Sequence, residues 1–238
     1  MKCLILASGF ATRLYPLTLT KAKPLLTYKK RPLLSHIVDS LPDDMDVYVT
    51  VNKKFEDDFR IWQAGFPKTV ELIVEDVWNE EQSLGAIGSL NHAIKKKSFN
   101  GDLIVLAGDN YFEFSTTEFL NACNGNNTLI AVYDIGNKDE ATQFGVLSVD
   151  GFKVTDFEEK PSRPQSSLVA TGCYVLPSRI FPFLEKYCAS GRKDNLGEFI
   201  KYLVEEDEVH AWSFKETWFD IVSEYDPLVE QRSDTSGV

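Results

Sequence analysis

The segment from residue 4 to residue 34, LILASGFATRLYPLTLTKAKPLLTYKKRPLL, has the residue types and spacing of a phosphate-binding loop. A buried apolar strand leads into Ala7, Ser8 and Gly9, small residues that let a nucleotide approach backbone N–H groups closely. Arg13 and Lys23 follow in a loop bounded by prolines. Two cations above the end of a strand suit a triphosphate. A solvated surface loop is the alternative interpretation, because a glycine loop alone is a weak signal.

Two aspartates are candidate metal ligands. Asp109 follows a predicted strand in VLAGDNYF, and Asp220 lies in WFDIVSEYDPL near the C-terminus. Taken alone, Asp109 could cap the next element and Asp220 could be a turn residue. Together they supply hard oxygen ligands, and magnesium at phosphate sites uses one or two carboxylates with the substrate filling the remaining positions. The residue types alone therefore leave a cap, a turn and a metal ligand open at these two positions.

The elements that position these residues alternate between short apolar strands and helical patterns. Strands are predicted near 2–7, 46–51, 69–75 and 102–109, with helical spacing between them, and Pro32 is expected in the first turn of one helix. The second half adds an Asp-Gly hairpin between GVLSV and FKVTDF. This order predicts an α/β fold, a single-domain Rossmann-like three-layer sandwich with a mixed, mostly parallel central sheet. The expected domain spans residues 1–230, with a nucleotide-binding front half to about 115, a hairpin-bearing back half from about 116 to 230, and a polar tail over 231–238.

Composition narrows the class of partner. The net charge is −11, so a nucleic-acid surface, which needs clustered Lys and Arg, is not expected. No signal peptide or membrane-spanning apolar stretch is evident, so no membrane partner is expected. The four cysteines are scattered without a CxxC pair, which favours reduced thiols and a cytoplasmic location.

Seven segments in order resemble the sugar-phosphate nucleotidylyltransferases, and among them most of all the glucose-1-phosphate thymidylyltransferases. Segment 4–34 is similar to the signature L-A-x-G-x-G-T-R-L-x-P-L-T followed by P/S-K-x-L-L. The others are SLGAIGSL (83–90), VLAGDNYF (105–112), QFGVL (143–147), FEEKP (157–161), ATGCYVL (170–176) and WFDIVSEYDPL (218–228). Two positions depart from the family pattern: Ala11 stands where Gly is usual, and Val222-Ser223 replace Gly-Thr.

The resemblance implies a role for each matched position. It places Arg13 at the pyrophosphate, Lys23 at the α-phosphate, and Asp109 and Asp220 at magnesium. The remaining positions fall into two groups: nucleotide-binding Ala7, Ser8, Gly9, Gln82 and Gly85, and sugar-phosphate-binding Asn110, Gly145, Glu159, Lys160, Gly172 and Tyr174. Among the latter, Glu159 is expected at sugar hydroxyls and Lys160 at the sugar phosphate. The resemblance thus implies that the back half, about 116–230, is the sugar-phosphate-binding part of the domain.

The expected activity is transfer of a nucleotidyl group from an NTP to a sugar-1-phosphate, with Mg²⁺ as cofactor and glucose-1-phosphate with dTTP or UTP as the first expectation. Three alternatives stay open: a nucleotide-sugar-dependent glycosyltransferase, a regulatory module that binds nucleotide-sugar with little catalysis, and a cytidylyltransferase acting on another phosphorylated alcohol. The glycosyltransferase is disfavoured because Asn110-Tyr111 follow Asp109 where a D-x-D motif would continue. A homo-oligomer is left open.

Overall fold

The computed structural model describes residues 1–192 and 195–220. Its strands are β1 (Lys2–Leu6), β2 (Thr27–Tyr28), β3 (Arg31–Pro32), β4 (Asp46–Asn52), β5 (Val70–Glu75), β6 (Leu103–Ala107), β7 (Asn110–Phe112), β8 (Thr128–Asp134), β9 (Gly145–Asp150), β10 (Lys153–Glu159), β11 (Leu168–Leu176), β12 (Val209–Phe214) and β13 (Trp218–Asp220). Its α-helices are α1 (Leu33–Asp39), α2 (Glu56–Ala64), α3 (Gly85–Lys97), α4 (Thr116–Asn121), α5 (Phe181–Ala189) and α6 (Leu196–Glu206). Val222, Ser223 and the predicted polar tail lie outside the described residues.

The central sheet has the strand order β5-β4-β1-β6-β11-β8-β12-β10-β9. Its front half is parallel, with β1 between β4 and β6. Strands β4 and β5 follow one another on one side of β1, and β6 then lies on its other side. Such a switch in strand order opens a crevice at the carboxyl ends of β1 and β6. In the back half β8 and β12 are parallel, whereas β11 runs antiparallel to both of its long neighbours. The mixed sheet is confirmed: parallel pairing is concentrated in the front half, whereas the pairs of the back half are mostly antiparallel and include the β9–β10 hairpin.

Side chains that alternate along the central strands build two cores, one on each face of the sheet. Cys3 and Ile5 of β1 belong to the core beneath α1, α2 and α4, whereas Leu4 belongs to the core beneath α3, α5 and α6. Strands buried on both faces read as continuous apolar runs, as LIVLA in β6 does. The predicted three-layer sandwich is therefore confirmed.

The predicted Asp-Gly hairpin joins β9 and β10, which pair antiparallel. Its turn is formed by Gly151 and Phe152, with Gly151 at φ +60° and the Phe152 side chain exposed at the tip. Pro32 lies immediately before α1 rather than within its first turn, so this helix begins one residue later than predicted.

Three small elements escape the sequence prediction: helix α4, the β2–β3 hairpin, and a two-stranded ribbon of β7 and β13. The ribbon joins segments more than 100 residues apart, and both of its strands have only three residues. Short strands with distant partners leave almost no periodic signal in the sequence. No helix in the described part of the chain is both long enough and apolar enough to cross a membrane.

Candidate active site

A cleft of about 570 Å³ opens at the carboxyl ends of β1 and β6. Its volume is within the range of small-molecule sites. The segment after β1 forms one wall, and the start of α3 forms another. Eleven of the residues expected at the site line it: Ala7, Ser8, Gly9, Arg13, Lys23, Gly85, Asp109, Lys160, Gly172, Tyr174 and Asp220.

The loop after β1 turns on Ala11, which has a left-handed backbone with φ 49° and ψ 45°. Its carbonyl accepts hydrogen bonds from the Thr18 hydroxyl, at 2.7 Å, and from the Leu14 amide, at 2.9 Å. Glycine adopts this conformation without cost, which explains why the related signature carries Gly here. The bonded carbonyl holds the alanine in the same turn, and the exposed Arg13 follows in the 3₁₀ turn Thr12–Leu14.

Lys23 lies between the two predicted metal ligands. Its ammonium is 2.7 Å from Asp109 Oδ2 and 3.2 Å from Asp220 Oδ1. The Lys23 side chain is only 12% exposed, whereas those of Asp109 and Asp220 are 37% and 27% exposed. The two carboxylates thus converge on one point, and the Lys23 ammonium occupies that point.

The environment separates the pKa values of the two aspartates. Burial and the neighbouring charge of Asp109 raise the pKa of Asp220 to about 7, against the partial opposition of Lys23. Burial also acts to raise the pKa of Asp109. The Lys23 charge and the hydrogen bonds from Lys23 and Asn110 outweigh it, so the pKa of Asp109 is lowered. Asp109 is therefore the fixed anion of the pair, and Asp220 takes up a proton near neutral pH.

The β7–β13 ribbon brings Asp220 to Asp109. Asp220 pairs in register with Asn110, the residue after Asp109. The buried Asn110 amide donates to Asp109 Oδ1 at 3.0 Å, and its carbonyl oxygen accepts from Trp218 Nε1 at 2.9 Å. Asn110 is predicted to contact sugar-phosphate, but the structure places it behind Asp109, where it orients that carboxylate.

Two glycines allow close packing around Asp109. The Gly108 amide donates to the Leu6 carbonyl at 2.9 Å, and a Cβ on Gly108 would be 2.8 Å from that oxygen. Gly172 has φ +75°, and a Cβ there would be 2.8 Å from the Ala107 Cβ. Side chains at either position would displace the backbone next to Asp109.

The wall opposite the loop carries Glu159 and Lys160. Lys160 adopts a left-handed backbone with φ 47°, while its amide donates to the Phe144 carbonyl at 2.9 Å. This sharp turn directs the half-exposed Lys160 side chain to the cleft. Glu159 is largely buried against Gly197 at the start of α6, and burial raises its pKa. Gly145 underlies the same wall, where a Cβ would meet the Phe157 ring and the Glu159 carboxylate.

Gln82 does not line the cleft. Its side chain caps the Trp78 amide at 2.8 Å in an exposed turn, and the neighbouring Glu80 and Ser83 line the cleft instead. The 3₁₀ turn Glu80–Gln82 turns Glu80 and Ser83 towards the cleft and Gln82 away from it. The sequence contains no pattern that predicts this turn. Gly145 and Glu159 also stand behind the lining, as Asn110 does. The sequence prediction missed several residues of the lining: Leu6, Thr12, Leu14, Pro24, Ala86, Ala107, Gln143 and Leu196.

The donor set suits a hard divalent cation. Asp109 and Asp220 offer converging oxygens, and the position of the Lys23 ammonium between them marks where positive charge is stabilised. Within residues 1–192 and 195–220, no group of three or more His, Cys, Asp or Glu side chains forms a metal site. Two carboxylates leave coordination positions for substrate oxygens and water, as is usual for Mg²⁺ at phosphate sites.

The chain resembles known proteins in both sequence and fold. The family model described as nucleotidyl transferase matches residues 2–231. The bifunctional protein GlmU of Methanococcus maripaludis is 30% identical over 96% of this chain and 53% of its own length. The mannose-1-phosphate guanyltransferase of Saccharomyces cerevisiae is 29% identical over 93% of this chain and 61% of its own length. The chain thus spans little more than half the length of these relatives.

A crystal structure from Bacillus anthracis, described as a glucose-1-phosphate thymidylyltransferase in complex with a sucrose, has the same fold. It superposes with a TM-score of 0.79 at 23% identity, covering 94% of this chain and 90% of that one.

Proposed function

Because this chain belongs to the nucleotidyl transferase family, we propose that it transfers a nucleotidyl group from an NTP to a sugar-1-phosphate and releases pyrophosphate. The observation that carries the proposal is the convergence of three cations on one cleft with two carboxylates. The cations are Arg13, Lys23 and Lys160, and the carboxylates are Asp109 and Asp220. This is the charge distribution that phosphoryl chemistry requires.

The reaction is an in-line displacement. An oxygen of the sugar phosphate attacks the α-phosphorus of the NTP, so that one P–O bond forms. The bond from the α-phosphorus to the bridging oxygen breaks, and its electron pair leaves with pyrophosphate. A phosphate monoester is already largely ionised at neutral pH, so no general base is needed. The described residues that line the cleft include no His or Cys, in keeping with a reaction driven by positioning and charge.

The cations divide this work according to their places in the cleft. Arg13, on the exposed turn after β1, is free to hold the leaving pyrophosphate. Lys23, at the carboxylate pair, neutralises the α-phosphate, and Lys160 on the opposite wall fixes the attacking phosphate. Asp109 and Asp220 would hold Mg²⁺, which when bound would neutralise charge on the phosphates.

Glucose-1-phosphate with dTTP or UTP is the first substrate pair to test. The names of the related proteins include another base and another sugar, guanyl and mannose-1-phosphate. Base choice depends on contacts around Ala7–Gly9 and the turn before Gly85, and Glu80 and Ser83 face the cleft there.

The experiment is a matrix of ATP, CTP, GTP, UTP and dTTP against sugar-1-phosphates, with inositol-1-phosphate as a different phosphorylated alcohol. Pyrophosphate release is measured with MgCl₂ and again with EDTA. Release with a sugar-1-phosphate, abolished by EDTA, supports the proposal. Release only with a non-sugar acceptor would assign the cytidylyltransferase-like alternative. If folded protein released no pyrophosphate with any of these substrate pairs, the result would contradict enzymatic transfer.

A further inference from the structure

A buried glutamate, Glu75, lies beneath the nucleotide-binding wall and has no part in the chemistry above. It is the last residue of β5 and pairs in register with Asn52, the last residue of β4. Only 2% of its surface is exposed, and Oε1 is fully buried without a hydrogen-bond partner. Glu75 does not line the cleft, but it interacts with Ser8, which does.

Ser8 is held in place by a polar network at the ends of three strands. The Asn52 side-chain amide donates to the Ser8 carbonyl at 2.9 Å, and the Ser8 hydroxyl is 3.0 Å from the Ser89 hydroxyl. The preceding amide, of Ala7, donates to Thr50 Oγ1 at 3.1 Å. Ser89 lies one helical turn after Gly85, where α3 begins at the cleft. The two serines therefore tie the loop after β1 to the start of α3.

Glu75 interacts with the hydroxyl groups of both Ser8 and Ser89. Burial raises its pKa, while Ser89, Ser8 and the charge of Lys96 act in the opposite direction. A hydroxyl pair has two hydrogens: one is shared between the serines, and the other needs an acceptor. The Glu75 carboxyl is the neighbouring acceptor, so it fixes the direction of the hydroxyl chain.

A buried carboxyl with an unpartnered oxygen costs folding free energy. An apolar side chain of similar size would avoid much of this cost. Groups that lower stability at such a position are typically kept for function.

From this geometry we infer that Glu75 is a positioning residue for the nucleotide: through Ser89 and Ser8 it sets the loop at Ala7–Gly9 against the start of α3. This inference rests on the proposed function, because it presumes that this loop receives the NTP. It predicts a signature that separates positioning from structural support. Loss of the carboxyl weakens NTP binding without lowering stability.

The test compares Glu75→Met, which removes the acceptor with little change in size, with Glu71→Met. Glu71 lies on the same strand but is half exposed and pairs with Lys97 at the surface. NTP binding is measured by calorimetry without the second substrate, using ATP, CTP, GTP, UTP and dTTP. KM for NTP, KM for the sugar phosphate, kcat and Tm are measured alongside. For Glu75→Met we expect the Kd and KM of the preferred NTP to rise about threefold to tenfold. The KM of the sugar phosphate and the Tm should not worsen, and Glu71→Met should match the parent protein in all five quantities.

Two results would overturn the inference while leaving the proposed function intact. In the first, the parent protein turns over and Glu75→Met binds NTP equally well. In the second, Glu75→Met loses Tm and affinity for both substrates together, as a structural residue would. If the parent protein binds none of the five nucleotides, the proposed function and this inference fail together.

Discussion

Replacing Lys23 by methionine tests the centre of the proposed site, because Lys23 contacts both candidate metal ligands. At an effective dielectric constant of about 20, unit charges at the observed distances of 2.7 and 3.2 Å attract by roughly 6 and 5 kcal/mol. Desolvation of the ammonium cancels much of this gross value, and the two carboxylates are part-exposed. We therefore expect a net loss of about 1–3 kcal/mol of unfolding free energy in the absence of metal.

The variant should respond to metal more strongly than the parent protein. Without the Lys23 ammonium, Asp109 and Asp220 repel each other, and a divalent cation takes the place of the lost charge. In EDTA, Tm should fall by about 3–10 °C. Millimolar MgCl₂ or MnCl₂ should then raise the Tm of Lys23→Met more than that of the parent protein. Turnover should fall by about 10²–10³-fold even with saturating metal, because the cation aimed at the α-phosphate is missing.

The assays are thermal unfolding with EDTA or metal, and pyrophosphate release. Lys21→Met is the matched control, since Lys21 lies two residues earlier in the same loop and does not line the cleft. A folded Lys23→Met protein with the turnover of the parent would refute the catalytic role. Equal metal-induced stabilisation of both proteins would refute the argument that Lys23 and the cation share one position.

Three further predictions follow from backbone and charge. The pKa of Asp220 is raised from 3.8 to about 7, so between these pH values the folded state holds a proton that the unfolded state has released. Metal-free stability should therefore fall as the pH rises from about 4 to 7. Asp220→Asn should flatten this slope in urea unfolding at pH 5 and pH 8 in EDTA, and an unchanged slope would contradict the assignment to Asp220. Gly172→Ala should lower the unfolding free energy, measured in urea, by about 2–4 kcal/mol, because backbone strain at φ +75° adds to a 2.8 Å approach of the new Cβ to Ala107. Gly151→Ala, at φ +60° in open space, should lower it by only about 1 kcal/mol. Equal losses would show that the close approach relaxes freely. Ala11→Gly should change the unfolding free energy by less than about 1 kcal/mol and leave turnover unchanged, because relief of the left-handed strain offsets the added freedom of the unfolded chain. A tenfold loss of turnover would show that the Ala11 methyl group itself shapes the loop.

The positions after the parallel strands could be predicted from the sequence. Ala7 follows β1 and Asp109 follows β6, and the two strands are neighbours in register. Apolar runs fix such strands, and the carboxyl ends of parallel strands share one edge of the sheet. Local order along the chain was therefore enough to bring the loop and Asp109 together.

Contacts that depend on distant, non-periodic pairing could not be predicted in the same way. The three-residue ribbon that carries Asp220 has no periodic signal, and only the resemblance of its motif pointed to a role. Gln82 fails for a related reason, because a single 3₁₀ turn decides that Glu80 and Ser83 face the cleft. Glu75 appears in sequence as one more acidic residue at a strand end, and only its burial distinguishes it.

The charges of the cleft themselves argue for an added cation in the proposed reaction. The described residues that line it carry three positive groups, Arg13, Lys23 and Lys160, and three acidic groups, Glu80, Asp109 and Asp220. When all six are ionised they cancel, so the lining offers no net positive charge to an NTP and a sugar phosphate, which together bring roughly six negative charges. A proton on Asp220 shifts this balance by only one charge. The protein side chains can therefore orient the phosphates, but neutralising them requires charge from outside the chain, and the converging oxygens of Asp109 and Asp220 provide a place to hold it.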